Sequence, residues 1–372
     1  MTRQGGGVDD GAAERADAAV TIHPPCPVML AKAGGATVPL GDYLYEPKWD
    51  GFRCLIFALP DRVVMQSRSE EDIAYAFPEV AADAAQLPVG TVLDGELAVI
   101  HEGRIDFGVL SSRLRPRSEA GGNIDVLAER HPAIFIAFDV LALPGRDLRD
   151  MGALLRHQAL AQLHLPAIMH LTPATQDAAV AVRWADVLAG AGLDGVIAKP
   201  VDGTYQPGVR ALTKVKPEHT ADVVVAGWRP HKQPGADGGP QVGSLLLGVH
   251  DDAGRLHHVG SASSFSAAKR RELTAELGGL ALADDVPHPW RDAPAGVRIP
   301  DTPNRWRRSA DKDLVLVRPE LVAEVRFDAM IDGRFRHVAR LLRWRPDRTP
   351  DSCTFEQFPT IEPLPVTDVL AW

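Results

Sequence analysis

Residues 46–53 read Glu-Pro-Lys-Trp-Asp-Gly-Phe-Arg and set one amine, Lys48, two residues before an Asp-Gly turn (Asp50, Gly51) and five before Arg53. The apolar run Cys54-Leu55-Ile56-Phe57-Ala58 follows at once, so the spacing puts the lysine at a strand end beside acidic and basic groups. An amine in that setting becomes a covalent nucleophile when its pKa is lowered. A solvated turn lysine has the same bare pattern and is the commoner case, so the rest of the chain must decide.

Further segments supply what a reaction between a lysine and a nucleotide requires. In Ser67-Arg68-Ser69 the planar donor fork of Arg68 suits a ribose or an acceptor phosphate, although a lone arginine is more often a surface residue. An acidic turn interrupts the apolar strand Leu93-Asp94-Gly95-Glu96-Leu97-Ala98-Val99. Charge there is costly unless paired or metal-bound, so Glu96 reads either as the partner of a ribose hydroxyl or magnesium ion or as a turn acid facing solvent. Phe138, in Phe135-Ile136-Ala137-Phe138-Asp139-Val140-Leu141, reads as a purine stacker in company with the others and as a core residue without them. Leu193-Asp194-Gly195-Val196-Ile197-Ala198-Lys199 precedes Leu212-Thr213-Lys214-Val215-Lys216, where Lys214 and Lys216 alternate along one strand face. Two adjacent ammonium groups call for an anion between them, such as a triphosphate, and their charge would depress the pKa of Lys48. The last segment is Arg343-Trp344-Arg345-Pro346-Asp347-Arg348.

The elements that must hold these residues divide in two. Up to Lys216, strands are expected over 55–59, 63–66, 91–100, 133–141 and 195–199, helices over 73–85, 148–163 and 178–189, and a surface loop over 114–123. Beyond Lys216-Pro217-Glu218-His219-Thr220 the pattern changes to strands over 221–227, 244–250, 255–260, 313–317, 321–327 and 335–344, with one helix over 266–277. That count fits a small barrel of the OB type, with a β-sandwich as the alternative. A length of 372 residues suits two domains, and 45% hydrophobic with 24% charged residues suits a globular chain. The expected division is a disordered tail over 1–22, a first domain over 23–216 and a second over 217–372 that carries its own C-terminal tail.

No apolar run reaches the roughly 20 residues of a bilayer span, and the N-terminal residues have no secretory h-region. Three dispersed cysteines form no metal or redox pattern, which points to a reduced cytoplasmic setting. Net charge is −9, against a general nucleic-acid binder, yet residues 304–348 hold twelve Lys/Arg against seven Asp/Glu, with Trp306 and Trp344 among them. Such a stretch suits a phosphate backbone and equally a solvated strand face.

With these segments in this order, over roughly residues 25–360, the chain resembles the covalent nucleotidyltransferase superfamily and, within it, the ATP-dependent DNA ligases, above all the small bacterial two-domain type. The resemblance implies an α+β nucleotidyltransferase (ATP-grasp-like ligase) domain followed by an all-β OB-fold barrel. It implies that Lys48 attacks ATP, carries AMP as a phosphoramidate and passes it to the 5′-phosphate of a nick, which the 3′-hydroxyl then seals. Glu46 matches the adenine side of the pocket, Phe138 the stacker, Arg53, Arg68 and Glu96 the ribose and phosphate contacts, and Lys214 and Lys216 the α-phosphate ligands. Glu96 and Asp194 match the ligands of magnesium or manganese. Arg345, Asp347 and Arg348 match the OB-domain motif that orients pyrophosphate in the first step. Asp194 stands where the family has glutamate, and Arg348 where it has lysine, so metal contact and ATP loading are expected to weaken. The implied partners are nicked duplex DNA and DNA-repair proteins, with no membrane, for a monomer at the bacterial nucleoid. RNA ligases and mRNA capping enzymes are the alternative within the superfamily. A non-catalytic OB-type nucleic-acid binder is the alternative outside it, against which the presence of Lys48 with all its partners argues.

Overall fold

The structure, a computed structural model, describes residues 18–114, 123–216, 218–235, 238–300 and 314–372. Two compact units are present: Met1–Lys216 together with Glu362–Trp372, and Pro217–Ile361. Among the described residues no helix is long and apolar enough to cross a membrane.

The first unit is built on β1 (Leu30–Ala33), β2 (Tyr43–Pro47), β3 (Phe52–Ala58), β4 (Val63–Ser67), β5 (Val92–His101), β6 (Arg104–Ile105), β7 (Ala133–Leu143), β8 (Arg146–Asp147), β9 (Met169–Leu171), β10 (Val196–Pro200) and β11 (Arg210–Val215). One sheet has the order β1-β11-β10-β2; the other has β4-β3-β5-β7-β8, with β6 beside β5 and β9 beside β7. Side chains in β3 alternate between two buried faces, as a strand with cover on both sides requires. Cys54 and Ile56 pack with Phe77, Val80 and Leu160 from the helices' side. Leu55 and Phe57 pack with Leu141 and with Leu212 of the other sheet. Each of these large apolar side chains contributes about 1.5–3 kcal/mol by leaving water.

Several expected bounds move, each for a local reason. The helix expected over 73–85 is a 3-10 turn, Ala74–Ala76, and then Pro78–Ala84, because Pro78 can occupy only the first helical turn. The helix expected from 148 starts at Ala153, since Gly152 is extended (φ −61, ψ 151). The tail expected over 1–22 is tied down at its end: Val20 and Ile22 are buried, and Ala19 O accepts from Gly145 N at 2.8 Å. Residues 1–17 and most of the expected 114–123 loop (115–122) lie outside the described residues.

The second unit comprises β12 (His219–Pro230), β13 (Val242–His250), β14 (Leu256–Ala262), β15 (Val315–Phe327), β16 (Met330–Ile331), β17 (Arg334–Phe335) and β18 (Arg340–Trp344). Its sheet order is β14-β13-β12-β15-β18, and the two edges meet where Ala339 N donates to Ser261 O (2.8 Å) and Ala262 bridges Ala339. Closure by that contact makes a five-stranded barrel, with the helix Ala267–Gly278 between its third and fourth strands, and removes the sandwich alternative. The strands expected over 313–317 and 321–327 are one, β15. Its register jumps from Val225↔Leu321 to Gly227↔Leu316, and the bulge accommodates Pro319, which has no N–H for the ladder. The run expected over 335–344 is split into β17 and β18.

The expected C-terminal tail of the second domain is corrected as well. Glu362–Trp372 belongs to the first unit, where Val366 and Val369 are buried in a core with Tyr45, Trp49 and Trp184.

Candidate active site

Lys48 follows β2, and the pairing of β2 with β10 continues through it. Lys48 N donates to Gly195 O (2.7 Å), and Asp194 N donates to Lys48 O (3.0 Å). Gly195 takes φ +123, a conformation that side chains rarely adopt. This backbone lock sets the Asp194 carboxylate against the lysine, with Lys48 Nζ 2.6 Å from Asp194 Oδ2. Lys216, just past β11, donates to the same oxygen at 2.7 Å. One buried carboxylate oxygen thus serves two ammonium groups. Lys214 stands close by, its pKa lowered by burial and then by the charges of Lys216 and Lys48.

The Asp-Gly turn has a steric reason. A Cβ on Gly51 would lie 2.0 Å from Leu97 O, so only glycine lets the turn lie against β5. The contact brings Gly51 N to Glu96 Oε1 at 3.0 Å. Burial raises the pKa of Glu96 to about 7, opposed by the charges of Lys48 and Arg53.

A cleft of about 230 Å³ opens beside Lys48, and Glu46, Arg53, Glu96, Phe138, Lys199 and Lys214 are among its lining residues. Its far end is a buried charge network. Lys199 Nζ lies 2.8 Å from Glu46 Oε2, donates to Phe138 O (2.7 Å) and sits 5.0 Å from the Phe138 ring centre. Burial raises the Glu46 pKa to about 7 against the opposing charge of Lys199. His157, with Nδ1 3.9 Å from Glu46 Oε1, is pushed down to about 4 by burial and by Lys199, so it is neutral at pH 7. Arg53 grips Asp94 with two hydrogen bonds (2.5 and 2.6 Å) and lies 4.5 Å from the centre of the Phe138 ring. Tyr205 donates to the same Asp94 at 2.6 Å. Behind Phe138, Arg156 makes a two-pronged contact with Asp139 at 2.7 and 3.0 Å.

Of the residues singled out from the sequence, Lys48, Glu46, Arg53, Arg68, Glu96, Phe138 and Lys214 line this one cleft, with Arg68 exposed. Asp194 and Lys216 join it through their contacts with Lys48 and each other. Arg345, Asp347 and Arg348 lie in the second unit. There Arg345 holds Asp222 (2.9 and 3.0 Å) and Asp347 (2.7 and 2.9 Å), and Arg348 donates to Ser352 O. Lys199, Arg210 and Asp94 were not expected at the site, whereas Asp139, the acid expected to hold a neighbour beside Phe138, holds Arg156. Lys199 carried a usable signal, a charge inside an apolar strand, the same one that drew notice to Glu96. Arg210 lines the cleft two residues before Leu212 on the Lys214 face of β11.

The sequence matches the family of ATP dependent DNA ligase domains over residues 29–216 and the family of ATP dependent DNA ligase C terminal regions over residues 238–348. It is 43% identical over 359 residues to DNA ligase C of Mycobacterium tuberculosis, covering 94% of this chain and 98% of that protein. To DNA ligase C2 of Mycolicibacterium smegmatis it is 46% identical over 345 residues, covering 90% and 95%. Among solved structures, a Lig E DNA ligase shares the fold at a TM-score of 0.50 and 17% identity, covering 86% of this chain and 99% of that one.

Proposed function

The chain belongs to the ATP-dependent DNA ligases, and from that premise we propose that Lys48 is the amine that carries AMP from ATP to DNA. The observation that carries this reading is the 2.6 Å contact of Lys48 with Asp194 beside a cleft that Lys48 lines together with Glu46, Arg53, Phe138 and Lys214. In the first step the neutral Lys48 Nζ attacks the α-phosphorus of ATP, the bond from that phosphorus to the pyrophosphate oxygen breaks, and the nitrogen gives up one proton. In the second step an oxygen of the DNA 5′-phosphate attacks the adenylate phosphorus, the P–N bond breaks, and Lys48 regains a proton. In the third step the 3′-hydroxyl attacks the DNA phosphorus and gives up its proton to solvent, the bond to the AMP oxygen breaks, and the phosphodiester and free AMP result. Each is a displacement at phosphorus, where positioning and charge neutralisation supply most of the rate.

The cleft lining supports the roles of the first unit's residues, and the family resemblance supports those of Arg345, Asp347 and Arg348. Glu46, Lys199 and Phe138 form the base end, and Arg53, Arg68 and Glu96 face the ribose and the phosphates. Lys214 and Lys216 neutralise charge at the α-phosphate. Asp194 keeps Lys48 aimed while ATP is absent and must release it for attack. Arg345, Asp347 and Arg348 orient the leaving pyrophosphate. Half-buried Glu96 and buried Asp194 are oxygen donors, the type that suits magnesium or manganese, and a desolvated carboxyl with its pKa near 7 gains from a nearby cation. A divalent ion bound by this pair would neutralise the phosphates.

The substrate is nicked duplex DNA, and the protein acts as a monomer in DNA repair. A 32% identical relative, named a multifunctional non-homologous end joining protein of Mycobacterium bovis, favours the repair role. Net acidity makes DNA affinity modest and salt-sensitive. Incubation with labelled ATP and magnesium should label the protein covalently and Lys48→Ala should stay unlabelled. Labelling by GTP in place of ATP, or sealing of nicked RNA in preference to nicked DNA, would overturn the reading.

A further inference from the structure

The chain leaves the first unit after Lys216, completes the barrel, and returns to the first unit at Glu362. That return is a built anchor. Val366 and Val369 are fully buried in the core that holds Tyr45 and Trp49, three residues before Lys48 and one after it. Val366 N donates to Gly103 O at 2.8 Å, and Leu364 N donates to Gly190 O at 3.2 Å. A Cβ on Gly190 would lie 2.1 Å from Glu362 O, so the backbones touch there and only glycine fits. The Trp372 ring stacks on Trp184 with centres 5.2 Å apart at 15°.

Both links to the barrel are short. At one end Lys216 is fixed by Asp194, and β12 opens at His219. At the other, Phe358 packs in the barrel core against Phe327 and Phe335. Only Pro359-Thr360-Ile361 separates Phe358 from Glu362, a stretch that spans about 10 Å when extended. Proline stiffens that link further.

We infer that Glu362–Trp372 is a clasp that converts the second unit from a domain hung on one hinge into a loop anchored at both ends. Two short anchors restrict the volume that the Arg345, Asp347 and Arg348 motif can search, which raises its effective concentration at the nucleotide cleft. The clasp therefore speeds the first step, loading of Lys48. It leaves untouched the sealing of a nick that already carries AMP. This inference rests on the ligase reading and on the pyrophosphate-orienting role of that motif.

Inserting a flexible Gly/Ser segment of about 20 residues between Ile361 and Glu362 lengthens the link while leaving the clasp docked. The Lys216–His219 link still tethers the barrel, so the insertion removes only the restriction that the second anchor adds, and Lys48 adenylation by ATP should slow by at least about 2-fold. The unfolding midpoint, and sealing of a chemically pre-adenylated nick, should stay unchanged. Removal of residues 362–372 should slow loading as well, with a lower unfolding midpoint because the core around Trp49 opens. If the insertion leaves the loading rate unchanged while the truncation lowers it, the segment is only packing and the inference falls. If the parent chain takes no label from ATP at all, it is the ligase reading that fails instead.

Discussion

The two ends of the cleft solve opposite electrostatic problems. At the base end Glu46, Lys199, Asp139 and Arg156 alternate acid and base in a buried network, with Lys199 only 3% exposed. At the phosphate end Lys48 and Lys216 converge on a single oxygen of Asp194, and Lys214 adds a third ammonium. The first end is balanced and closed, which suits a neutral base. The second carries surplus positive charge, which suits an anion that arrives and leaves. On the proposed reading, this contrast divides binding from chemistry along one cleft, with charge balanced at one end and in surplus at the other.

The largest effect expected from breaking the contrast is at the phosphate end. Lys48→Ala should abolish covalent labelling by ATP, while the base end still holds the nucleotide, checked by equilibrium ATP binding. At the base end Lys199→Met should act on the fold and on ATP affinity instead. Above about pH 7, where Glu46 is ionised, it leaves that carboxylate buried without its cation, at a cost of up to about 3–5 kcal/mol in a denaturant titration, and it should raise the KM for ATP. That cost should shrink at lower pH, where Glu46 takes up a proton.

A gentler probe is pH. The Glu46 carboxyl keeps its proton up to about pH 7 in the fold, against an ordinary value of 4.5. Between those values the folded chain binds more protons than the unfolded one. The Glu46 contribution to stability is therefore fully present below 4.5 and is lost as pH rises to about 7. Glu46→Gln should flatten the fall in stability across that window, measured by unfolding at several pH values; an unaltered slope would contradict the buried network. The smallest effect is expected at Arg348, whose described contacts are Ser352 O and a 3.7 Å approach to Asp222. Restoring the family residue with Arg348→Lys should change stability by no more than about 0.5 kcal/mol. It should shift the loading rate only slightly.

Much of the cleft was legible because its residues sit in short local patterns. Lys48, Glu96 and the Lys214–Lys216 pair each announce themselves through neighbours in sequence, and a charge in an apolar strand is a signal that needs no partner to be seen. What stayed hidden depends on pairing at long range. Arg156 lies in the helix Ala153–Ala161, where an arginine ordinarily faces water, and its burial follows only from Asp139 on β7. The strand β2 is short and ends in a proline, so its alternation gives no signal until β10 lies beside it. The C-terminal segment, rich in proline, reads as a tail because the groove that receives it is assembled from Gly103, Trp184 and Gly190. In the barrel, Pro319 suggested two strands where a bulge permits one.

The placement of Val366 and Val369 also sets an order of events at the ribosome. The side chains that complete the core behind Tyr45 and Trp49 are translated after the whole barrel. At about 5–20 residues per second, the first unit waits roughly 10–30 s for its final pieces while the second is made and folds. A ribosome that stalls within the barrel leaves a chain that already bears Lys48 and lacks the plug that finishes the core beneath it.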